Sequence, residues 1–122
     1  MTLLYVEDDP DDVDLFLDAI GKVAPHTIVH VANSVKDALK KLDEIIIEPD
    51  YIFLDMNLPE APGIELLRTI KTQQGLRTIP VVMFSTSLSP ADVNECKKLG
   101  ALDFVAKPSE FHQLCHVLKE FL

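Results

Sequence analysis

Apolar residues along the chain fall into short blocks, separated by longer stretches in which they recur every three or four positions. Leu3, Leu4, Tyr5 and Val6 form a strand-length run that stops at Glu7, Asp8, Asp9 and Pro10. Val13, Phe16, Leu17 and Ile20 then follow helical spacing, with Asp9 or Asp11 as the cap, Pro10 in the first turn and Gly21 as the expected end. Residues 28–31 predict a second strand. Asn33 or Ser34 caps a second helix, whose inward face is Val35, Ala38, Leu39, Leu42 and Ile46. Residues 51–54 predict a third strand, apolar on both faces, that ends abruptly at Asp55. Pro59, Pro62 and Gly63 form the following loop, and Ile64, Leu67, Ile70 and Lys71 continue as helix.

Pro80 opens a fourth apolar run, residues 81–84, closed by Ser85, Thr86 and Ser87. Ser89 and Pro90 start a helix that ends at Leu99 and Gly100, the glycine closing it. Phe104, Val105 and Ala106 make the fifth strand, which stops at Lys107 and Pro108. Ser109 caps the last helix, with Phe111, Leu114, Cys115, Leu118 and Phe121 or Leu122 inward.

Five strands alternating with five helices imply right-handed crossovers and a parallel sheet. Strands apolar on both faces imply helices on both sides of that sheet. The expected fold is a doubly wound α/β sheet in strand order 2-1-3-4-5. The polar residues then fall in one place: Glu7 and Asp8 follow strand one, Asp55 strand three, Ser85 and Thr86 strand four, and Lys107 strand five. All lie at carboxyl ends of strands, the edge where open α/β sheets bind ligands.

Composition narrows the function. The 122 residues, 48% hydrophobic and 25% charged, suit one soluble domain. With 20 acidic against 11 basic residues, the net charge of -9 repels nucleic acid and anionic membranes. Two distant cysteines, Cys96 and Cys115, and a start without a basic region or long apolar run predict a cytoplasmic protein. The two thiols are expected to serve as small buried apolar groups. His112 and His116 are one helical turn apart, but no third metal ligand is evident beside them.

Strands one and three are neighbours in this topology, so Glu7, Asp8 and Asp55 should converge. Three close carboxylates resist ionisation together, and a hard divalent cation such as Mg²⁺ removes that conflict. With Lys107 as a fixed positive charge and Ser85 as a hydroxyl donor, the set suits a transferring phosphoryl group, with Asp55 as nucleophile. An acidic cluster alone would favour no more than a helix N-terminus.

The chain resembles the response-regulator receiver family over essentially its whole length. The matching pieces are residues 6–10, residues 54–59 with Gly63, residues 79–82 leading to Ser85, Gly100 with Ala101, and Lys107 with Pro108. The resemblance implies that Asp55 accepts the phosphoryl group. Asp8 would be a direct ligand of Mg²⁺ or Mn²⁺, Glu7 a ligand through water, and Asn57 a backbone-carbonyl ligand. Ser85 and Lys107 would grip the phosphoryl oxygens, Phe104 would be the switch aromatic, and Asn57, Thr86 and Ser87 would modulate the rates. A cis Lys107–Pro108 bond would aim the ammonium inward.

Three positions depart from the commonest family pattern. Ser85 replaces threonine, Phe104 lacks a tyrosine's phenol, and Thr86 is larger than the usual alanine or glycine. The implied donors are a sensor histidine kinase or a histidine phosphotransfer protein. The length leaves no residues for an output domain, so the output is expected to be a separate protein target, met through the fourth helix, fifth strand and fifth helix. A monomer or weak homodimer is expected. A phosphohydrolase would need a general acid near Asp55 and a cap segment, but position 57 is Asn. A phosphorylation-independent scaffold would not need all the acids, Ser85 and Lys107.

Overall fold

The computed structural model describes residues 1–44, 48–86 and 89–122. Ile46, expected on the inward face of the second helix, and Ser87, expected to modulate the site, lie outside the described residues. In chain order the elements are β1 (Thr2–Val6), α1 (Pro10–Val23), β2 (Ile28–Ala32), α2 (Val35–Glu44) and β3 (Tyr51–Leu54). There follow α3 (Gly63–Thr72), β4 (Val81–Ser85), α4 (Pro90–Leu99), β5 (Asp103–Ala106) and α5 (Phe111–Phe121). All pairings are parallel, in the order β2-β1-β3-β4-β5.

The central strands are buried on both faces because each face meets helices. On one side Val6, Ile52, Leu54, Val81 and Met83 pack with Ala38, Leu66, Leu67, Ile70 and Cys96 from α2, α3 and α4. On the other, Leu3, Tyr5, Phe53, Val82 and Phe84 pack with Phe16, Ile20, Leu114 and Leu118 from α1 and α5. Phe16 stacks on Tyr5 at 3.9 Å between centroids and meets Phe53 and Phe84 edge-on.

Several helix ends and faces differ from the sequence expectation. Gly21 does not end α1, which runs on to Val23 and closes with the Ala24 N–H donating to the Ile20 carbonyl at 2.8 Å. Gly21 sits on the exposed side of the helix, where a glycine is tolerated. Leu17 points outward and is 39% exposed; the inward face is Phe16, Ala19 and Ile20, with Val13 packed beside them. Helix α5 is capped by Glu110, not Ser109, its carboxylate accepting from the backbone N–H of His112 and of Gln113, each at 2.9 Å. At α2 the cap is Ser34, whose hydroxyl accepts from the Asp37 N–H at 3.0 Å. Cys96 is buried as expected, while Cys115 is only half-buried.

Candidate functional site

Backbone pairing delivers each polar residue to the same edge. The β1 ladder continues through Glu7, whose N–H donates to the Ala32 carbonyl at 2.9 Å, and the Asp55 N–H donates to the Val6 carbonyl at 3.1 Å. On the far side the Lys107 N–H donates to the Ser85 carbonyl at 2.9 Å, extending the register that sets Ser85 beside Ala106. Strands β1, β3, β4 and β5 thus release their chains at one level.

Asp55 lies at the centre and is 6% exposed. One carboxylate oxygen accepts from the Ser85 hydroxyl at 2.8 Å and from the Asn57 N–H at 3.2 Å. The other accepts from the Lys107 ammonium at 3.2 Å. Burial raises the Asp55 carboxyl above the usual range and Asp8 adds to the effect, against the lowering by hydrogen bonds from Asn57 and Ser85. Glu7 is also buried, and its oxygens take the Lys107 ammonium, the Asp8 N–H at 3.0 Å, the Asp9 N–H at 3.3 Å and the Tyr5 hydroxyl at 3.4 Å. Burial pulls the Lys107 ammonium down to about 8, and the carboxylates around it favour its charged form.

Carboxylate oxygens of Glu7, Asp8 and Asp55 lie within 4.8 Å of one another, close enough to share one cation. Asp8 is exposed, and with Asn57, Met56 and residues 58–62 it lines an open depression of about 520 Å³. An all-oxygen donor set with one exposed member, Asp8, fits a hard divalent ion that retains part of its hydration shell.

The structure therefore brings together Glu7, Asp8, Asp55, Asn57, Ser85 and Lys107. It corrects one expectation: the Lys107–Pro108 bond is trans, not cis. The ammonium still reaches Asp55, because its flexible four-carbon stem spans from the end of β5. Thr86 is exposed beside Lys107. Phe104 stands apart, half-buried against the α2–α3–α4 side of the sheet, with the Lys97 ammonium 5.7 Å from its ring centroid.

One residue was missed from sequence. Asp12, in the first turn of α1, brings a carboxylate oxygen to 3.2 Å from the Lys107 ammonium. Its signal was its position three residues after the helix cap Asp9, in a turn whose start abuts the carboxyl edge of β1.

A doubly wound sheet carrying carboxylates, a hydroxyl and a lysine on the tips of four strands defines the receiver class of signalling domain. The family model described as the response regulator receiver domain matches residues 3–119, and the chain belongs to that family. It is 38% identical over 104 residues to a protein-glutamate methylesterase/protein-glutamine glutaminase of Treponema denticola, a match covering 81% of this chain and 27% of that protein. The phosphorylated cyanobacterial phytochrome response regulator RcpA superposes with a TM-score of 0.90 at 29% identity, over 98% of this chain and 89% of that one. The Mn²⁺-bound response regulator Rcp1 superposes with a TM-score of 0.87 at 26% identity, over 98% and 90% of the two chains. This chain spans half or less of the length of the curated relatives it matches.

Proposed function

We propose that this chain is a phosphorylation switch: Asp55 takes a phosphoryl group from a phosphohistidine of a sensor kinase or phosphotransfer protein. An Asp55 oxygen attacks phosphorus, the P–N bond to the histidine breaks, and the imidazole leaves with the bonding pair. The observation that carries this reading is the engagement of both oxygens of buried Asp55, one by Ser85 and Asn57 and one by Lys107. The same donors are placed to meet phosphoryl oxygens, where preorganised charge lowers the barrier most. Asp8 and Asp55, with the Asn57 carbonyl, would hold Mg²⁺ or Mn²⁺ directly, and Glu7 through water. The ion, when bound, neutralises charge on the phosphoryl oxygens.

The chemistry ends on the protein itself, so the chain acts as a switch and not as an enzyme turning over small molecules. After phosphorylation Ser85 moves toward the new oxygens, and Phe104 follows inward from its half-buried position. The face of α4, β5 and α5 then changes its affinity for a separate protein target. Packing alone drives the switch, since Phe104 offers no hydroxyl. Thr86 lines the cavity beside Lys107, from which its bulk would slow attacking water; Thr86→Ala should then shorten the phosphoryl lifetime. The net charge of -9 supports a protein partner over nucleic acid or membrane, and a monomer or weak homodimer, while the two unpaired cysteines fit a reducing cytoplasm. RcpA is by name a phytochrome response regulator, which makes a light-sensing kinase a reasonable first donor to try.

Intact mass after incubation with acetyl phosphate and Mg²⁺ tests the assignment. One phosphate adduct, absent in Asp55→Ala and in excess chelator, is expected. Steady phosphate release from many substrates would replace the switch by a phosphohydrolase, and no adduct would leave a scaffold.

A further inference from the structure

We propose that Asp12 is a positioning residue for Lys107: it holds the ammonium through one hydrogen in the unphosphorylated protein and competes for it with an incoming phosphoryl group. This rests on the reading of Asp55 as phosphoacceptor. An ammonium has three hydrogens, and three carboxylates touch this one: Glu7, Asp12 at 3.2 Å and Asp55 at 3.2 Å. Every donor of Lys107 is therefore committed before any phosphoryl group arrives. A phosphoryl oxygen can gain the ammonium only if one carboxylate gives it up.

The three are not held alike. Glu7 is buried and fixed by three further donors, from Tyr5, Asp8 and Asp9. Asp55 is buried and fixed by Ser85 and Asn57, and its contact with the ammonium passes to the phosphoryl group only as the new P–O bond neutralises the carboxylate. Asp12 has a side chain 35% exposed, and among the described residues Lys107 is the one group that donates to its carboxylate. Water can replace that partner, so this contact is the cheapest to lose. There is also room for the movement: a cavity of about 260 Å³ opens at Asp12, Lys107, Thr86 and Pro108, with Tyr5 and Phe16 behind. Asp12 thus competes with the phosphoryl group for Lys107, and neutralising it should speed transfer.

The test is the rate of adduct formation on Asp55 at saturating Mg²⁺, across acetyl phosphate concentrations. Asp12→Asn should raise the limiting rate by about two- to five-fold, the range a half-exposed ion pair supports. Asp12→Glu, which keeps the charge, should return it toward the parent's. Asp14→Asn removes the same charge from an exposed position of α1 and should leave the rate alone. In a Lys107→Ala background the effect of Asp12→Asn should vanish, since no ammonium remains to be shared. An equal gain in that background, an equal gain from Asp14→Asn, or an effect confined to the donor concentration at half-maximal rate would overturn the proposal in favour of diffuse repulsion. Adduct formation with no response to Asp12→Asn overturns it alone. Failure of the parent to form an adduct overturns the phosphoacceptor reading, and Asp12's role with it.

Discussion

Two glycines show how differently one residue type can matter. A Cβ built on Gly63 would lie 1.9 Å from the Asp55 carbonyl oxygen and 3.1 Å from the Met56 Cα. Both neighbours are backbone, and the Gly63 N–H already donates to the Met56 carbonyl at 2.8 Å, so neither side can yield without moving the loop that carries Asp55. Gly63→Ala should cost about 1–3 kcal/mol or more, the range for overpacking, measured by urea unfolding. Any folded fraction should also form adduct on Asp55 more slowly, because the displaced atom is its own carbonyl. At Gly21 the added carbon meets nothing within 4 Å, inside an exposed turn of α1. There the alanine gains helix propensity, and Gly21→Ala should stabilise by about 0.5–1 kcal/mol in the same assay.

At the scale of elements, the start of α5 gives a pH-dependent handle away from the site. Glu110 accepts from the backbone N–H of His112 and then of Gln113, and these bonds hold its carboxyl below the usual range. A depressed native value means the unfolded chain binds the proton first. The cap's stabilisation is therefore complete above the ordinary glutamate range, near pH 4.5, and is lost as pH falls through the lower native value. The unfolding midpoint of Glu110→Ala should lie below the parent's at pH 7 by a constant margin down to about pH 5, and the two should converge in stronger acid. A margin independent of pH would assign the loss to packing instead. This cap also marks the limit of what sequence discloses. Ser109 is a favoured cap residue type and Glu110 is not, so only the backbone turn, which sets Glu110 before the first helical residue, reveals the cap. The strands were legible because β1, β3 and β4 are apolar on both faces and each ends on a polar residue. Those polar ends gave the acidic pair, Asp55 and Ser85, and the end of β5 gave Lys107, since strand order alone collects them. Asp12 escaped because it lies on a helix, where reach depends on how α1 is set against the sheet. Leu17 was misplaced for a related reason: Leu17 and Ala19 lie about 200° apart on opposite flanks of the stripe of Phe16 and Ile20, and the setting of α1 against the sheet buries the Ala19 flank.

The whole molecule carries a formal charge of -9 and folds three carboxylates, those of Glu7, Asp8 and Asp55, within 4.8 Å of one another. Folding concentrates that charge, the Lys107 ammonium offsets only part of it, and the unfolded chain disperses it, so without a divalent cation the site opposes the fold around it. A divalent ion reverses the sign. It binds the native cluster far better than scattered carboxylates, and stabilises by about 2.7 kcal/mol at one hundred times its dissociation constant. The parent should therefore melt at a temperature that climbs with Mg²⁺ and falls back when chelator is added. Asp8→Ala separates the two contributions. Burial is the main cause of the raised Asp55 carboxyl and Asp8 a further one, so removing Asp8 relieves part of the conflict. In chelator the variant should be more stable than the parent; in Mg²⁺ the order should invert, because the variant has lost a ligand. Added NaCl should narrow the gap in chelator, since about 1 M salt shortens the range of exposed charge interactions to about 3 Å. Melting curves for both proteins, with and without Mg²⁺, decide the matter: parallel responses to the ion would place the cation elsewhere, and crossing curves would tie it to Asp8.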